Sequence, residues 1–225
     1  IENLNERAEG DYSWIRPGVT AWMWLSEGFQ GQRTESTLKK YVDLAHEMGW
    51  TYLILDEGWQ PGATTPGKVY EGYFDYFDDL VDYAAERDVY FVAWVKMRDL
   101  DTVEELSLLE EWADKGIKGI KVDFIESEGV DRIEIMERIY DKCLEEKLIV
   151  NVHGFNQPTG EISRWPNIIN RESLKGQEYG GVWSTDTTIW PYTRGVTGAM
   201  DITPHLYPTP SSTTTAAMLL PKSST

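Results

Sequence analysis

Three carboxylates in this sequence have neighbours that suit them to chemistry. Asp123 ends an apolar run, two residues after Lys121. A carboxylate beside a cation stays ionised, which suits a nucleophile or an electrostatic stabiliser. Glu172 and Glu178 follow later in the chain, six residues apart. Because cleavage of a glycosidic bond needs one ionised and one protonated carboxyl group, these acids predict glycoside hydrolysis.

The sequence leaves two points about these acids open. A buried structural ion pair between Lys121 and Asp123 explains the same local pattern. The distance between two catalytic carboxyls, about 5 to 5.5 Å in retaining enzymes and about 6.5 to 9.5 Å in inverting ones, is set by the fold and cannot be read from spacing.

Further polar or aromatic side chains lie near the end of each short apolar run. Where two come from one run they are two residues apart, so in a strand both point to the same side. We interpret them as the lining of one polar pocket, and a buried hydrogen-bond network without catalytic purpose is the alternative. In chain order they are Trp22 and Trp24, Asp56, Trp94 and Lys96, Lys121 and Asp123, Asn151 and His153, and Glu172.

The apolar runs alternate with stretches of helical spacing, which predicts repeated β–α units with parallel strands. Helices are predicted at 37–48, at 102–115 with Asp101 as the N-cap, and at 131–148. Strands are predicted at 19–25, 52–56, 90–95, 117–125, 149–154 and 168–172, with a seventh at 199–203.

Both an open doubly wound sheet and a closed barrel fit this alternation. We favour an α/β fold of the (β/α)₈ TIM-barrel type, because no Gly-rich phosphate-binding motif follows a strand and because polar residues gather at the strand ends. A complete barrel normally takes about 250 residues, so this barrel is expected to stop before strand 8. We divide the chain into an N-terminal linker (1–17), a catalytic barrel (18–205) and a Pro-, Ser- and Thr-rich tail (206–225) in which barrel helix 7 would begin.

The composition narrows the class of partner. The 225 residues carry a formal net charge of −17, which argues against nucleic acid and anionic membranes because phosphate groups need clustered Lys and Arg. A neutral substrate fits better, and ten tryptophans offer flat apolar surfaces for sugar rings. No apolar run reaches the length of a transmembrane helix. The histidines lack zinc-type spacing, and spacing alone does not suggest a hard cation bound by carboxylates such as Glu172, although it does not exclude one.

Several segments together resemble glycoside hydrolase family 97, a group of bacterial α-glucosidases and α-galactosidases. One such segment is weak evidence, whereas their order and spacing together are specific. The segments are LILDEGW at 53–59, GIKVDF at 119–124, NVHG at 151–154 with QPTG at 157–160, Arg164, the pair Glu172 and Glu178, and MDITP at 200–204.

The resemblance implies a role for each of these positions. Asp123 matches the nucleophile of the retaining, α-galactosidase-like branch, and Gly154 stands where the inverting branch has its catalytic base. Glu178 matches the general acid/base, and Glu172 with Glu178 matches ligands of a calcium ion (Ca²⁺). The side chains expected to bind the sugar are Trp22, Trp24, Asp56, Trp59, Trp94, Lys96, Lys121, Asn151, His153 and Arg164.

The same resemblance implies a periplasmic or secreted bacterial protein that hydrolyses a neutral oligosaccharide or α-glycoside, with flanking β domains outside this chain. Three alternatives stay open: an inverting α-glucosidase of the same family, a catalytically silent carbohydrate-binding fragment, and a barrel enzyme of unrelated chemistry. Gly154 argues against the first of these, and the ordered segments argue against the third.

Overall fold

One parallel sheet organises the part of the chain that is described. The computed structural model describes residues 6–62, 72–176, 178 and 184–202. Within these ranges six strands pair in sequential order, each parallel to the next. The predicted strands are confirmed as β1 Thr20–Trp22, β2 Tyr52–Leu55, β3 Tyr90–Lys96, β4 Gly119–Asp123, β5 Ile149–Val152 and β6 Ile168–Arg171.

Helices follow the strands, as the alternation predicts. In the described ranges they are α1 Trp24–Gly31, α2 Glu35–Met48, α3 Phe77–Ala85, α4 Val103–Asp114, α5 Val130–Glu145 and α6 Ser184–Ile189. The three helices with predicted bounds are confirmed as α2, α4 and α5. Short 3₁₀ turns lie at Met97–Leu100, Glu161–Ser163, Trp190–Tyr192 and Arg194–Thr197.

The first predicted strand is too long. The chain leaves the extended region at Met23 (φ −110°, ψ 7°), and the Met23 carbonyl accepts the amide of Glu27 at 2.8 Å. This turn starts α1, so Trp24 lies on a helix rather than on β1 with Trp22.

The predicted N-cap of α4 is also wrong by one residue. Thr102 is extended (φ −103°, ψ 160°) and forms a capping box with Glu105, in which each residue's side chain accepts the other's amide. Asp101 has helical dihedrals and ends the preceding 3₁₀ turn. It is therefore not free to cap the helix.

The strand order decides between the two folds that the sequence leaves open. A doubly wound sheet reverses its strand order at a switch point. Here the order runs from β1 to β6 without reversal. Because β–α–β crossovers are right-handed, such an order places the connecting helices on one face of the sheet. The architecture is that of part of a (β/α) barrel, and the eight-stranded type with its stop before strand 8 stays a prediction.

The two faces of the sheet carry different residues. Leu53, Leu55 and Val122 belong to a large apolar core that also contains helix residues. The alternate residues of the strands, such as Ile54, join a second and smaller apolar cluster or carry polar groups such as Lys121. The polar groups lie towards the carboxyl ends of the strands, where the sequence places the site.

A seventh strand position follows β6. Arg171 forms an isolated parallel bridge with Met200, and the amide of Asp201 donates to the Arg171 carbonyl at 3.1 Å. The bridge falls in the segment 199–203 for which a strand is predicted. Residues 203–225 and 1–5 lie outside the described ranges, so the domain limits stay predictions. Within those ranges, no helix has the length and apolar character needed to cross a membrane.

Candidate active site

A cavity of about 270 Å³ lies where the carboxyl ends of the strands meet. It brings together most of the residues that the sequence predicts for the site, from every strand of the sheet. Its lining consists of Trp22, Trp24, Asp56, Glu57, Trp94, Lys121, Asp123, Phe124, Glu126, His153, Gly154, Glu172 and Glu178. A second hollow on the outer surface, lined by residues of α3 and α4 and by Lys115, contains none of the predicted site residues.

The most buried charges of the cavity form an ion pair. Lys121 Nζ lies 2.8 Å from Asp56 Oδ2, and both side chains are about 5% exposed. The indole of Trp22 donates to the same Asp56 oxygen at 2.5 Å. Burial alone would lower the pKa of Lys121, but the charges of Asp56 and Asp123 outweigh it and raise the pKa to about 12. The direct ion pair of Lys121 is therefore with Asp56, not with Asp123.

Asp123 is held at both carboxylate oxygens. Its Oδ1 accepts the backbone amide of Phe124 at 2.8 Å, and its Oδ2 accepts the indole N–H of Trp94 at 3.1 Å. Phe124 has a φ of 57°, which is unusual for a bulky residue and is the kind of backbone strain that concentrates at functional sites.

Gly154 provides the space beside this carboxylate. Its φ is 60°, and a Cβ at this position would lie 3.2 Å from Asp123 Oδ1 and 3.1 Å from the Phe124 amide nitrogen. The Gly154 carbonyl accepts the Glu126 amide at 3.2 Å, which joins the loops after β4 and β5. Any side chain at 154 would therefore be both strained and crowded against Asp123.

Glu178 also lines the cavity and lies in the segment between β6 and α6. Its Oε1 accepts the indole N–H of Trp24 at 3.1 Å. Partial desolvation and the charges of Asp56 and Glu172 raise the pKa of Glu178, against the opposing effect of Lys121. A carboxyl group with a raised pKa keeps its proton closer to neutral pH, as a general acid requires.

A network that the sequence misses fixes the histidine of the cavity. His153 Nε2 and Asn151 Nδ2 both lie 2.7 Å from Asp201 Oδ2. Burial opposes ionisation of Asp201, but its hydrogen bonds to these two residues lower its pKa to about 2. Burial and Lys121 act to lower the pKa of His153, yet the carboxylates of Asp201 and Glu172 raise it overall. His153 therefore sits between two acids, with Glu172 Oε2 3.5 Å from its Nδ1.

Two predicted sugar-binding residues do not reach the cavity. Trp59 is 4% exposed and packs in the core against Phe77 and Trp112, with its indole bonded to the Trp94 carbonyl at 2.9 Å. Arg164 is exposed and stacks over the Trp165 ring at 4.3 Å. Trp165 donates to Asp141 of α5. Arg164 therefore lies near the helices that cover the sheet and not at the carboxyl ends of the strands.

Two others lie just behind the lining. Lys96 Nζ is 3.6 Å from Glu57 Oε1 and 5.5 Å from the Trp94 ring centre. Asn151 bonds to Asp201, which in turn bonds to the cavity residue His153. Glu57, Phe124 and Glu126 also line the cavity, although none of them is predicted as a site residue. They directly follow or lie close to Asp56 and Asp123, and that adjacency is the signal that could have found them.

The predicted calcium ligands are only partly brought together. Glu172 and Glu178 line the same cavity, and Glu172 Oε2 also accepts the Gly154 amide at 3.3 Å. Among the described residues, however, no group of three or more His, Cys, Asp or Glu converges to hold a metal. Ca²⁺ takes six to eight oxygen ligands, so these residues do not form a complete calcium site by themselves.

Known proteins are similar to this chain in sequence. A "Probable retaining alpha-galactosidase" of Streptomyces bingchenggensis (strain BCW-1) is 37% identical over 209 residues, which is 89% of this chain and 32% of that protein. A "Retaining alpha-galactosidase" of Bacteroides thetaiotaomicron is 32% identical over 86% of this chain and 31% of that protein. The chain thus spans about a third of the length of these relatives.

A solved structure shows the same fold at lower identity. A glycoside hydrolase family 97 enzyme from Pseudoalteromonas sp. strain K8, in complex with acarbose, matches with a TM-score of 0.75 and 21% identity, over 90% of this chain and 37% of that one. The family model described as Glycoside hydrolase 97 matches residues 14–174, which contain Asp56, Asp123 and His153. On this match, the chain belongs to glycoside hydrolase family 97.

Proposed function

We propose that this chain carries the catalytic residues of a retaining α-glycoside hydrolase, with α-galactosides as the first substrate class to test. The observation that supports it most directly is the contact between positions 123 and 154. A Cβ at 154 would lie 3.2 Å from Asp123 Oδ1, so a catalytic base at 154 would crowd a nucleophile at 123 on this backbone. The sequence has the aspartate and the glycine. The choice of galactosides rests on the names of the two relatives.

The proposed reaction is a double displacement. Asp123 attacks the anomeric carbon while Glu178 donates a proton to the leaving oxygen. Glu178 then removes a proton from the water that hydrolyses the glycosyl–enzyme bond. The raised pKa of Glu178 supports its first role, since a protonated carboxyl is needed at the start of the cycle.

The buried polar groups of the cavity are proposed to bind the sugar hydroxyls. Asp56 and Lys121 form a 2.8 Å ion pair, and His153 is held by Asp201, so each side chain has a defined orientation before substrate enters. Pre-organised donors and acceptors of this kind bind without a large ordering cost. Asp56 can accept hydrogen bonds from hydroxyls, and Lys121 can donate to them.

Calcium, flanking β domains and an exported location complete the proposal by resemblance. The chain would supply Glu172 and Glu178 to the ion, and other oxygen ligands would have to come from outside the described residues. In the full-length protein, added Ca²⁺ should raise the melting temperature, and Glu172→Gln should reduce that rise. A melting temperature that does not respond to Ca²⁺ removes calcium from the proposal.

The nucleophile is tested by Asp123→Asn. This change should lower kcat on α-galactosides at least about a thousandfold, because the amide cannot form the glycosyl–enzyme bond. Azide should restore part of the activity and give the β-galactosyl azide, since a small anion can attack from the vacated side. Asp78→Asn, at an exposed side chain of α3, is the matched control and should leave kcat unchanged.

The alternatives give different results in the same assays. An inverting α-glucosidase would release the β-anomer first and would keep its activity in Asp123→Asn, and proton NMR of the first product reads the anomer directly. A silent carbohydrate-binding chain would show saturable sugar binding by tryptophan fluorescence and no turnover. Wild-type turnover by Asp123→Asn contradicts the proposed nucleophile whatever the substrate.

A further inference from the structure

Three tryptophans of the cavity share one feature. Each donates its indole N–H to a different carboxyl group of the lining. Trp22 donates to Asp56 at 2.5 Å, Trp24 to Glu178 at 3.1 Å, and Trp94 to Asp123 at 3.1 Å. Two of these carboxyls, Asp123 and Glu178, are the pair that the proposed reaction needs.

The burial of Trp22 and Trp94 argues against a role for these two rings as flat surfaces for sugars. A ring that stacks on a sugar must offer an exposed face. Trp94 is only 3% exposed and Trp22 only 8%. The Trp94 ring is enclosed by Phe124 at 6.3 Å in an edge-to-face contact, and Lys96 Nζ lies 5.5 Å from its centre. What such a ring can present to the cavity is chiefly its N–H.

The surroundings of Trp94 fix the direction of that N–H. Trp94 lies in the middle of the long strand β3, paired with Lys121 of β4. Its carbonyl accepts the indole of Trp59, which is itself packed in the core. Backbone and ring are therefore both held, and Asp123 receives a donor whose position the sheet determines.

We propose that Trp94 and Trp24 are positioning residues for the two catalytic carboxyls, a role that rests on the proposed function. An ionised carboxylate accepts at both oxygens. The Trp94 N–H and the Phe124 amide occupy one lone pair on each oxygen of Asp123, which fixes the carboxylate plane and leaves the remaining lone pairs for attack.

Trp24 acts on the acid in a different way. Its indole N–H lies 3.1 Å from Glu178 Oε1, so the bond engages one carboxyl oxygen and leaves Oε2 for the leaving group. The bond thereby limits the rotation of the carboxyl group and fixes how it is aimed at the leaving oxygen.

The test compares phenylalanine and alanine variants at each position. Phe keeps most of the ring and removes the N–H, whereas Ala removes both. We expect Trp94→Phe to lose about 10- to 100-fold in kcat with KM changed less than about threefold, and to fall close to Trp94→Ala in kcat. If the ring only stacks on the sugar, Trp94→Phe stays near wild type, and Trp94→Ala raises KM. That result overturns the proposal for Trp94.

The dependence of the rate loss on the leaving group distinguishes the roles of the two tryptophans. Trp24→Phe should lose about 3- to 10-fold in kcat/KM on an α-galactoside with a poor leaving group such as an alkyl alcohol. It should lose little on an activated dinitrophenyl α-galactoside, which leaves without protonation. Trp94→Phe should lose similar factors on both. Equal losses for Trp24→Phe on the two substrates overturn its assignment to the acid.

Trp165→Phe is the matched control. Trp165 is 3% exposed and donates to a carboxylate, Asp141 Oδ1, at 2.7 Å, but that bond lies on the helix side of the sheet. The variant loses the same type of bond and should keep wild-type kcat. If it falls as far as Trp94→Phe, the losses report general packing, and the proposal fails. Failure of the proposed function itself would appear separately, as Asp123→Asn with wild-type turnover.

Melting temperatures guard against loss of fold. Each variant is assayed at least 10 °C below its own transition, a margin chosen so that about 99% of a small domain is native. Should Trp94→Phe fail to fold, Trp94→His takes its place in the test. The ring N–H of histidine can still donate a hydrogen bond. Recovery of kcat in Trp94→His above Trp94→Ala supports the N–H role, and equal kcat in the two overturns it.

Discussion

The two carboxyl groups that are proposed to act together are held in different ways. Asp123 ends β4, is half-buried, and accepts N–H groups at both oxygens from residues whose places the sheet determines. Glu178 is exposed, lies between β6 and α6, and is bonded to Trp24. The difference shows that Asp123 depends on the packing of the sheet, whereas Glu178 depends on contacts at the rim of the cavity.

The largest effect that separates the two groups should come from Glu178→Gln. Without the acid, kcat/KM on an α-galactoside with a poor leaving group should fall about 100- to 1,000-fold. The same variant should keep most of its first-step rate on an activated aryl α-galactoside. Steady-state kinetics on both substrates measure the contrast. A uniform loss across leaving groups would mean that Glu178 is not the acid.

Gly154→Ala tests the surroundings of Asp123, the carboxyl group that the sheet holds. The methyl group would meet Asp123 Oδ1 at 3.2 Å, so kcat should fall about 10- to 100-fold, and the left-handed φ should cost about 1 to 2 kcal/mol of unfolding free energy. Gly49→Ala, at the C-cap of α2, is the control. It has a similar φ of 68° but no atom within 4 Å of its Cβ.

The two glycine variants share the strain and differ only in the crowding. Gly49→Ala should therefore lose similar stability in urea unfolding and keep wild-type kcat. Equal kcat in both variants would show that the space beside Asp123 is not needed for turnover, and it would remove the main support for the retaining mechanism.

The smallest predicted effect is on the stability of the fold at acid pH, to which Asp201 contributes. Its folded-state pKa of about 2 lies below the ordinary value of 3.8, so the bonds to His153 and Asn151 stabilise the fold above pH 4. That contribution, about 2 kcal/mol, is lost as the pH falls from about 4 through 2. Asp201→Asn should lower the unfolding free energy at pH 7 and flatten its dependence on pH in the acid range.

Asp78→Asn again serves as the control, because its ion pair with Lys115 is exposed and should contribute little. Urea unfolding at pH 7, 4 and 3 gives the comparison. If the unfolding free energy falls as steeply with decreasing pH in Asp201→Asn as in the wild type, another group causes that fall.

The strands and most of the cavity could be predicted from the sequence because short apolar runs of strand length alternate with stretches of helical spacing. In a parallel sheet, apolar residues at every second position face the helices, and polar residues between them stand out, as Lys121 and Asp123 do. Their convergence in one cavity then follows from parallel pairing alone.

The errors have equally physical causes. Trp59 follows closely after Asp56 and Glu57 at the end of β2, so its spacing is the same for a ring in the site and a ring in the core. A large ring gains more free energy by packing in the core than by facing water, and Trp59 is buried there. Asp201 lies within the predicted seventh strand (199–203), but its position beside His153 depends on the register of a bridge that only the fold reveals. The conformation of Gly154 is likewise invisible in a sequence.

Gly154 also constrains how an enzyme of this kind can change over time. A switch between the two stereochemical outcomes needs a carboxylate lost at 123 and another gained at 154, and no single step achieves both. Each one-step intermediate is either crowded, with both acids present, or empty, with neither. Directed evolution by single substitutions should therefore stall between the two mechanisms, and libraries that randomise 123 and 154 together should not.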